Sequence, residues 1–154
     1  MKERLAVVSC LLVLAVSLCA CRAASAMSYT FNVSTGDKVE VELDTSESGL
    51  KLKQENGRFS IERDGKTVAY GAFGQAEDWD YYKEVIGLDE YSEMISEDDT
   101  RLVWMEYVSG GPEYDMIEKV SDRTCVFVGN TTDEEITEGA LQEVFDRLLF
   151  RLSE

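Results

Sequence analysis

From Tyr29 to Leu43 apolar and polar residues alternate almost one for one, and this period of two constrains the fold more than any other feature. Tyr29, Phe31 and Val33, then Val39, Val41 and Leu43, fall on one side of the chain, while Lys38, Glu40 and Glu42 fall on the other. Successive side chains of a strand point to opposite faces, so such alternation specifies antiparallel strands with one face wet. Ser34-Thr-Gly-Asp37 reads as the turn between them. Leu50 with Leu52, and Phe59 with Ile61, mark a third and a fourth strand. Asp64-Gly65 is the strongest hairpin signal, because a type I′ turn needs positive φ at both central residues. Val68, Tyr70 and Ala72 carry the returning strand to Gly74. Arg101 to Val108 reads as a strand with Leu102, Trp104 and Glu106 on one face and Val103, Met105 and Tyr107 on the other. Tyr114 to Val120 and Thr124 to Val128 pair across Ser121-Asp122-Arg123, and Tyr91 to Ser96 reads as a further strand.

Two segments change period. Trp79, Tyr82, Val85 and Ile86 lie at helical spacing within 77–87, and Gly87 suits a helix stop. Thr132 with Glu135 forms a capping box, and Asp133, Glu134 and Glu135 favour the positive end of a helix. Ile136, Ala140, Leu141, Val144, Phe145, Leu148 and Leu152 then make one apolar stripe, which predicts a helix through Leu152. Gly139 inside it costs about 1 kcal/mol relative to alanine, so this helix depends on packing against a sheet. The expected fold is α+β: an antiparallel, meander-rich β-sheet flanked by two helices, forming a single domain over 29–154.

Ahead of that domain stands an export tag. Lys2 and Arg4 precede an uncharged apolar run from Leu5 to Ala20. This is shorter than the roughly 20 residues that span a bilayer, and it matches a signal peptide over 1–20. Leu18-Cys19-Ala20-Cys21 reads as a lipobox, in which the Cys21 thiol takes a diacylglyceryl group and becomes the new N-terminus. Residues 22–28 then form a short tether. A competing site, Ala24-Ser25-Ala26, is an A-x-A match for ordinary secretion, with cleavage after Ala26. The lipobox implies a protein lipid-anchored through Cys21 on the outer face of the cell membrane; the competing site implies a secreted one.

Composition then narrows the chemistry. Loss of 1–20 removes Lys2, Arg4 and Glu3 and leaves 13 basic against 30 acidic residues, a net charge of −17. Such a surface repels nucleic acid, which is excluded as a partner. Of four cysteines, Cys10 and Cys19 leave with the signal and Cys21 takes lipid, so Cys125 stands alone in an apolar run, where a buried core thiol is expected. The chain has no histidine, which removes Ser-His-Asp and Cys-His catalysis and the common zinc and iron sites. Glu77, Asp78, Asp80 and Glu84 lack EF-hand spacing and read as partners of a helix N-terminus, so neither a metal nor another cofactor is expected. Paired carboxylates can hydrolyse glycosides, but a chain this acidic brings some pair to the needed spacing by chance. Aromatic side chains beside carboxylates bind sugars, peptides or cations, which makes Trp79, Tyr81, Tyr107 and Tyr114 the candidate ligand-binding residues.

Several short motifs carry a resemblance. Asp64-Gly-Lys66, Gly71-Ala-Phe73, Tyr82, Glu113-Tyr114, Ser121-Asp-Arg-Thr124, Val128-Gly-Asn130 and Val144-Phe145 recur together. Over most of 37–150 the chain resembles small uncharacterised lipoproteins of Gram-positive anaerobic bacteria, with a Mog1/PsbP-like layout. Arg123 stands where the second turn usually has an asparagine. The resemblance implies surface anchoring and an antiparallel sheet flanked by helices, and it implies no activity. The function expected is a cell-surface module binding an extracellular ligand or an envelope protein. A non-catalytic accessory subunit of an envelope transport or secretion complex is the alternative, and a carboxylate-based hydrolase the third reading.

Overall fold

The computed structural model describes residues 25–88, 90–109, 111–130 and 138–154. The segment 1–20 read as a signal peptide, the expected lipidation site Cys21 and the expected capping box Thr132/Glu135 lie outside the described residues. Among the described residues, ten strands and two helices follow in chain order. They are β1 (Ala26–Asn32), β2 (Lys38–Asp44), β3 (Leu50–Glu55), β4 (Arg58–Arg63), β5 (Lys66–Gln75), α1 (Ala76–Val85), β6 (Ser92–Glu97), β7 (Arg101–Val108), β8 (Gly111–Lys119), β9 (Thr124–Asn130), α2 (Glu138–Asp146) and β10 (Leu148–Leu152). All pairings are antiparallel, so the α+β reading holds. The single sheet expected is divided in two: a three-stranded sheet in the order β1-β2-β10 and a seven-stranded sheet in the order β3-β4-β5-β9-β8-β7-β6.

The alternation from Tyr29 to Leu43 builds the small sheet and aims its apolar side at the large one. Phe31, Val39, Val41, Leu43, Leu148 and Phe150 meet Leu52, Phe59, Ile61, Val103, Met116, Val126 and Val128 in one buried cluster. The same cluster takes in Leu141, Val144 and Phe145 of α2. A smaller cluster forms on the opposite, outer face of the large sheet, where Trp79 of α1 packs with Leu102, Trp104, Ile117 and Cys125. The two faces of β7 divide as the alternation predicts, Leu102 and Trp104 outward and Val103 and Met105 inward. Asp64 and Gly65 take φ of 53° and 79°, as the hairpin signal requires.

The last predicted helix is corrected. Helix α2 stops at Asp146, and Leu148–Leu152 pair with β2 instead, Leu148 opposite Leu43 and Phe150 opposite Val41. Leu152 is half exposed and not part of a buried stripe. Without β10, the backbone groups of β2 on that side would lack partners, a larger cost than ending a helix early.

A polar clamp ties the two sheets at one end. Buried Asp37, in the β1–β2 turn, accepts hydrogen bonds from Ser121 Oγ at 2.6 Å and Thr124 Oγ1 at 2.7 Å, and from the Arg123 guanidinium. The Ser121 and Thr124 hydroxyls do most to hold its carboxyl below the usual carboxylate range. Arg123 therefore has a role in the second turn, closing the clamp from the solvent side.

Candidate functional site

The four aromatic residues singled out from sequence do not converge. Trp79 and Tyr81 lie on α1, on the outer side of the large sheet; Tyr107 and Tyr114 lie on β7 and β8. Trp79 is 7 % exposed and caps the outer cluster, with Lys83 Nζ and Lys119 Nζ 5.0 and 5.7 Å from its ring. Tyr114 is buried in the inner cluster. Tyr81 and Tyr107 are exposed, on different elements and opposite faces. The carboxylates near α1 serve the helix: Asp78 Oδ2 accepts the Gln75 amide at 2.9 Å, and Asp80 pairs with Lys119 at 3.8 Å. Cys125 is a core thiol. It is fully buried, donates to the Gln75 carbonyl at 2.9 Å, and is pushed up to about 12 chiefly by burial.

A different group of residues assembles on the outer face beside α1. Strand register sets Ser60 opposite Tyr70, Tyr70 opposite Gly129, Gly129 opposite Asp115, Asp115 opposite Trp104, and Trp104 opposite Met94. This row crosses six strands on one side of the sheet. At its centre Gly129 leaves bare backbone, and the Asp115 carboxylate leans over it. A Cβ at Gly129 would lie 2.4 Å from Asp115 Oδ1. Tyr70 stands on the far side of the gap and is 55 % exposed. Neighbouring strands are about 4.8 Å apart, so Tyr70 and Asp115 flank a trough roughly 10 Å wide with glycine as its floor.

Aromatic rings close one end of the trough. Tyr82 stacks on Trp104 at 5.1 Å and meets Phe127 edge-on at 5.3 Å, while Tyr81 meets Tyr82 edge-on at 5.6 Å. Acidic groups close the other. Glu106 and Glu113 are direct cross-strand partners one step along from Trp104 and Asp115. Burial, then Glu113, then Glu106, push the Asp115 carboxyl up to about 7. Burial and the Asp115 charge likewise push the Tyr82 phenol up. Asp115 has no hydrogen-bond donor or ion-pair partner among the described residues. This contrasts with Glu118 on the same strand, which the Arg101 guanidinium holds at 2.6 Å.

Sequence reasoning passed over Asp115, Gly129, Glu106 and Glu113. The available signal was an acid on the apolar side of a strand, Glu113 and Asp115 sharing a face with Ile117, together with a glycine inside a strand. Comparison of the chain with known protein families, curated proteins and solved structures finds no match.

Proposed function

We propose that the protein is a surface module, anchored in the outer face of the cell membrane by lipid on Cys21, which binds its ligand through the outer face of its large sheet. The observation that carries the binding part is Asp115: a half-buried carboxylate, without a donor among the described residues, leaning over bare backbone between aromatic side chains. A carboxylate kept only for folding is paired or hydrogen-bonded, because leaving it unpaired costs stability. Burial beside Glu113 and Glu106 makes the charged form of Asp115 costly, and a cationic ligand would offset that cost.

Strand β1 supports the choice of cleavage site. It begins at Ala26, inside the segment read as tether, and pairs Ala26 with Asp44, while the Thr45 amide donates to the Ser25 carbonyl at 2.7 Å. Cleavage after Ala26 would remove both residues, whereas cleavage before Cys21 leaves them in place. The Mog1/PsbP-like layout belongs to the same proposal, supported by an antiparallel sheet with helices packed on it. A second reading, a carboxylate-based hydrolase, is favoured by the raised Asp115 beside Glu106 and Glu113. It requires turnover of a glycoside that Asp115→Asn abolishes.

Intact-mass measurement on the membrane fraction, with Cys21→Ser as control, tests the anchoring. We expect a wild-type chain that starts at Cys21 and carries diacylglyceryl mass, and a Cys21→Ser chain without it. A soluble wild-type product starting at Met27, or a chain retaining Met1, overturns the assignment.

A further inference from the structure

We propose that the trough between Tyr70 and Asp115 docks a lysine or arginine side chain of a basic partner protein. This rests on reading the protein as a surface binding module and names what that module recognises.

Charge complementarity is the first argument. Glu106, Glu113 and Asp115 share one face, and Glu106 and Glu113 stand directly opposite each other, an arrangement that like charges disfavour. Cations of this chain do not relieve it among the described residues. Lys83 is engaged by Glu97 at 2.6 Å, and Lys119 lies between Asp80 and the Trp79 ring. The group facing Asp115 from α1 is the Tyr82 phenol, which is not a cation. Segment 131–137, which follows β9, contains no lysine or arginine. Among the described residues no lysine or arginine pairs with Asp115, Glu106 or Glu113, and a basic partner would supply that counter-charge.

Shape is the second argument. Among the described residues the trough is open to solvent, with Tyr70 55 % exposed, and it runs along β9 between β5 and β8, so a side chain reaching down from a protein surface fits it. Exposed Tyr70 and Tyr81 offer rings against which the aliphatic stem of lysine or arginine packs while its charged head meets Asp115. Glycine at 129 lets the carboxylate lean inward; any larger residue would displace it. The surrounding acidic surface steers basic partners toward the face and discriminates against acidic ones. Since the Asp115 carboxyl is pushed up to about 7, it becomes a full negative charge as pH rises from 6 to 8.

The probe is hexalysine amide, titrated calorimetrically into the full-length protein in neutral detergent at low salt, with the Gly129 amide resonance followed in parallel. We expect saturable binding that shifts the Gly129 resonance and strengthens between pH 6 and pH 8. Asp115→Asn should weaken it at least about tenfold and remove the pH dependence, while Asp122→Asn, in the remote β8–β9 turn, should change it less than about twofold. Equal weakening by both variants, a Gly129 resonance that does not move, or no saturable binding overturns the proposal. A lipidated protein whose hexalysine affinity ignores Asp115→Asn sinks the cation site and leaves the surface module standing. Retention of Met1 sinks the surface module, whatever the titration gives.

Discussion

Substituting Gly71 by alanine probes the inner core at its tightest point. Gly71 on β5 lies opposite Phe59 on β4, and a methyl group there would sit 1.9 Å from Phe59 Cζ and 2.3 Å from both Cε atoms, inside the ring. The ring has little room to retreat, with Phe31, Phe73 and Phe150 centred 6.0, 6.0 and 6.2 Å away. Overpacking a filled core costs about 1–3 kcal/mol, and the surrounding rings place Gly71→Ala at the upper end, about 3 kcal/mol. In a domain of this size that lowers the thermal midpoint by about 10 °C. Urea unfolding followed by the fluorescence of buried Trp79 and Trp104 measures it directly. Phe59→Leu removes the ring and should cost about 1–2 kcal/mol alone. In the double variant the methyl enters the vacated space, so the combined cost should fall short of the sum by about 1 kcal/mol or more. A Gly71→Ala protein within about 0.5 kcal/mol of wild type, or strictly additive costs, would refute the packing argument.

Three further outcomes are expected. Gly139→Ala, on an exposed position of α2 where an added Cβ meets no atom of the described residues within 4 Å, should stabilise the fold by about 0.5–1 kcal/mol in the same urea assay. Asp37→Asn should lose stability at pH 7, since the folded state holds the Asp37 carboxyl below its ordinary range. That advantage is lost as pH falls through the folded pKa, so the gap between wild-type and variant melting temperatures should close in strong acid. A gap independent of pH would remove the charge from the clamp's explanation. Cys125, buried and pushed up to about 12, should resist iodoacetamide at pH 8 until denaturant is added, as read by peptide mass. Alkylation of the folded protein would contradict its burial.

The strands were legible because the inner cluster excludes water from one side of each. Val39, Val41 and Leu43 alternate with charged neighbours for that reason alone. Strand β10 was not legible, because Leu148 and Leu152 continue the helical spacing of Val144 and Phe145. Only the open edge of β2, more than 100 residues earlier, decides that Leu148–Leu152 extend. Division into two sheets is hidden for the same reason, since local alternation says which face is wet and not which strand lies alongside. Aromatic content pointed toward a recognition face, yet Trp79 and Tyr114 turned inward to fill cores. The trough was invisible in sequence because register creates it: Tyr70, Asp115 and Gly129 come from three strands and meet only through pairing.

Strand order also governs when this chain can become solid. Val41 sits between Tyr29, made early, and Phe150, made more than 100 residues later. A growing or threading polypeptide therefore has no finished core until residues 148–152 arrive to zip onto β2. If the chain is exported as proposed, such a late-closing seam keeps it pliable while it threads through the membrane, then locks it shut on the far side.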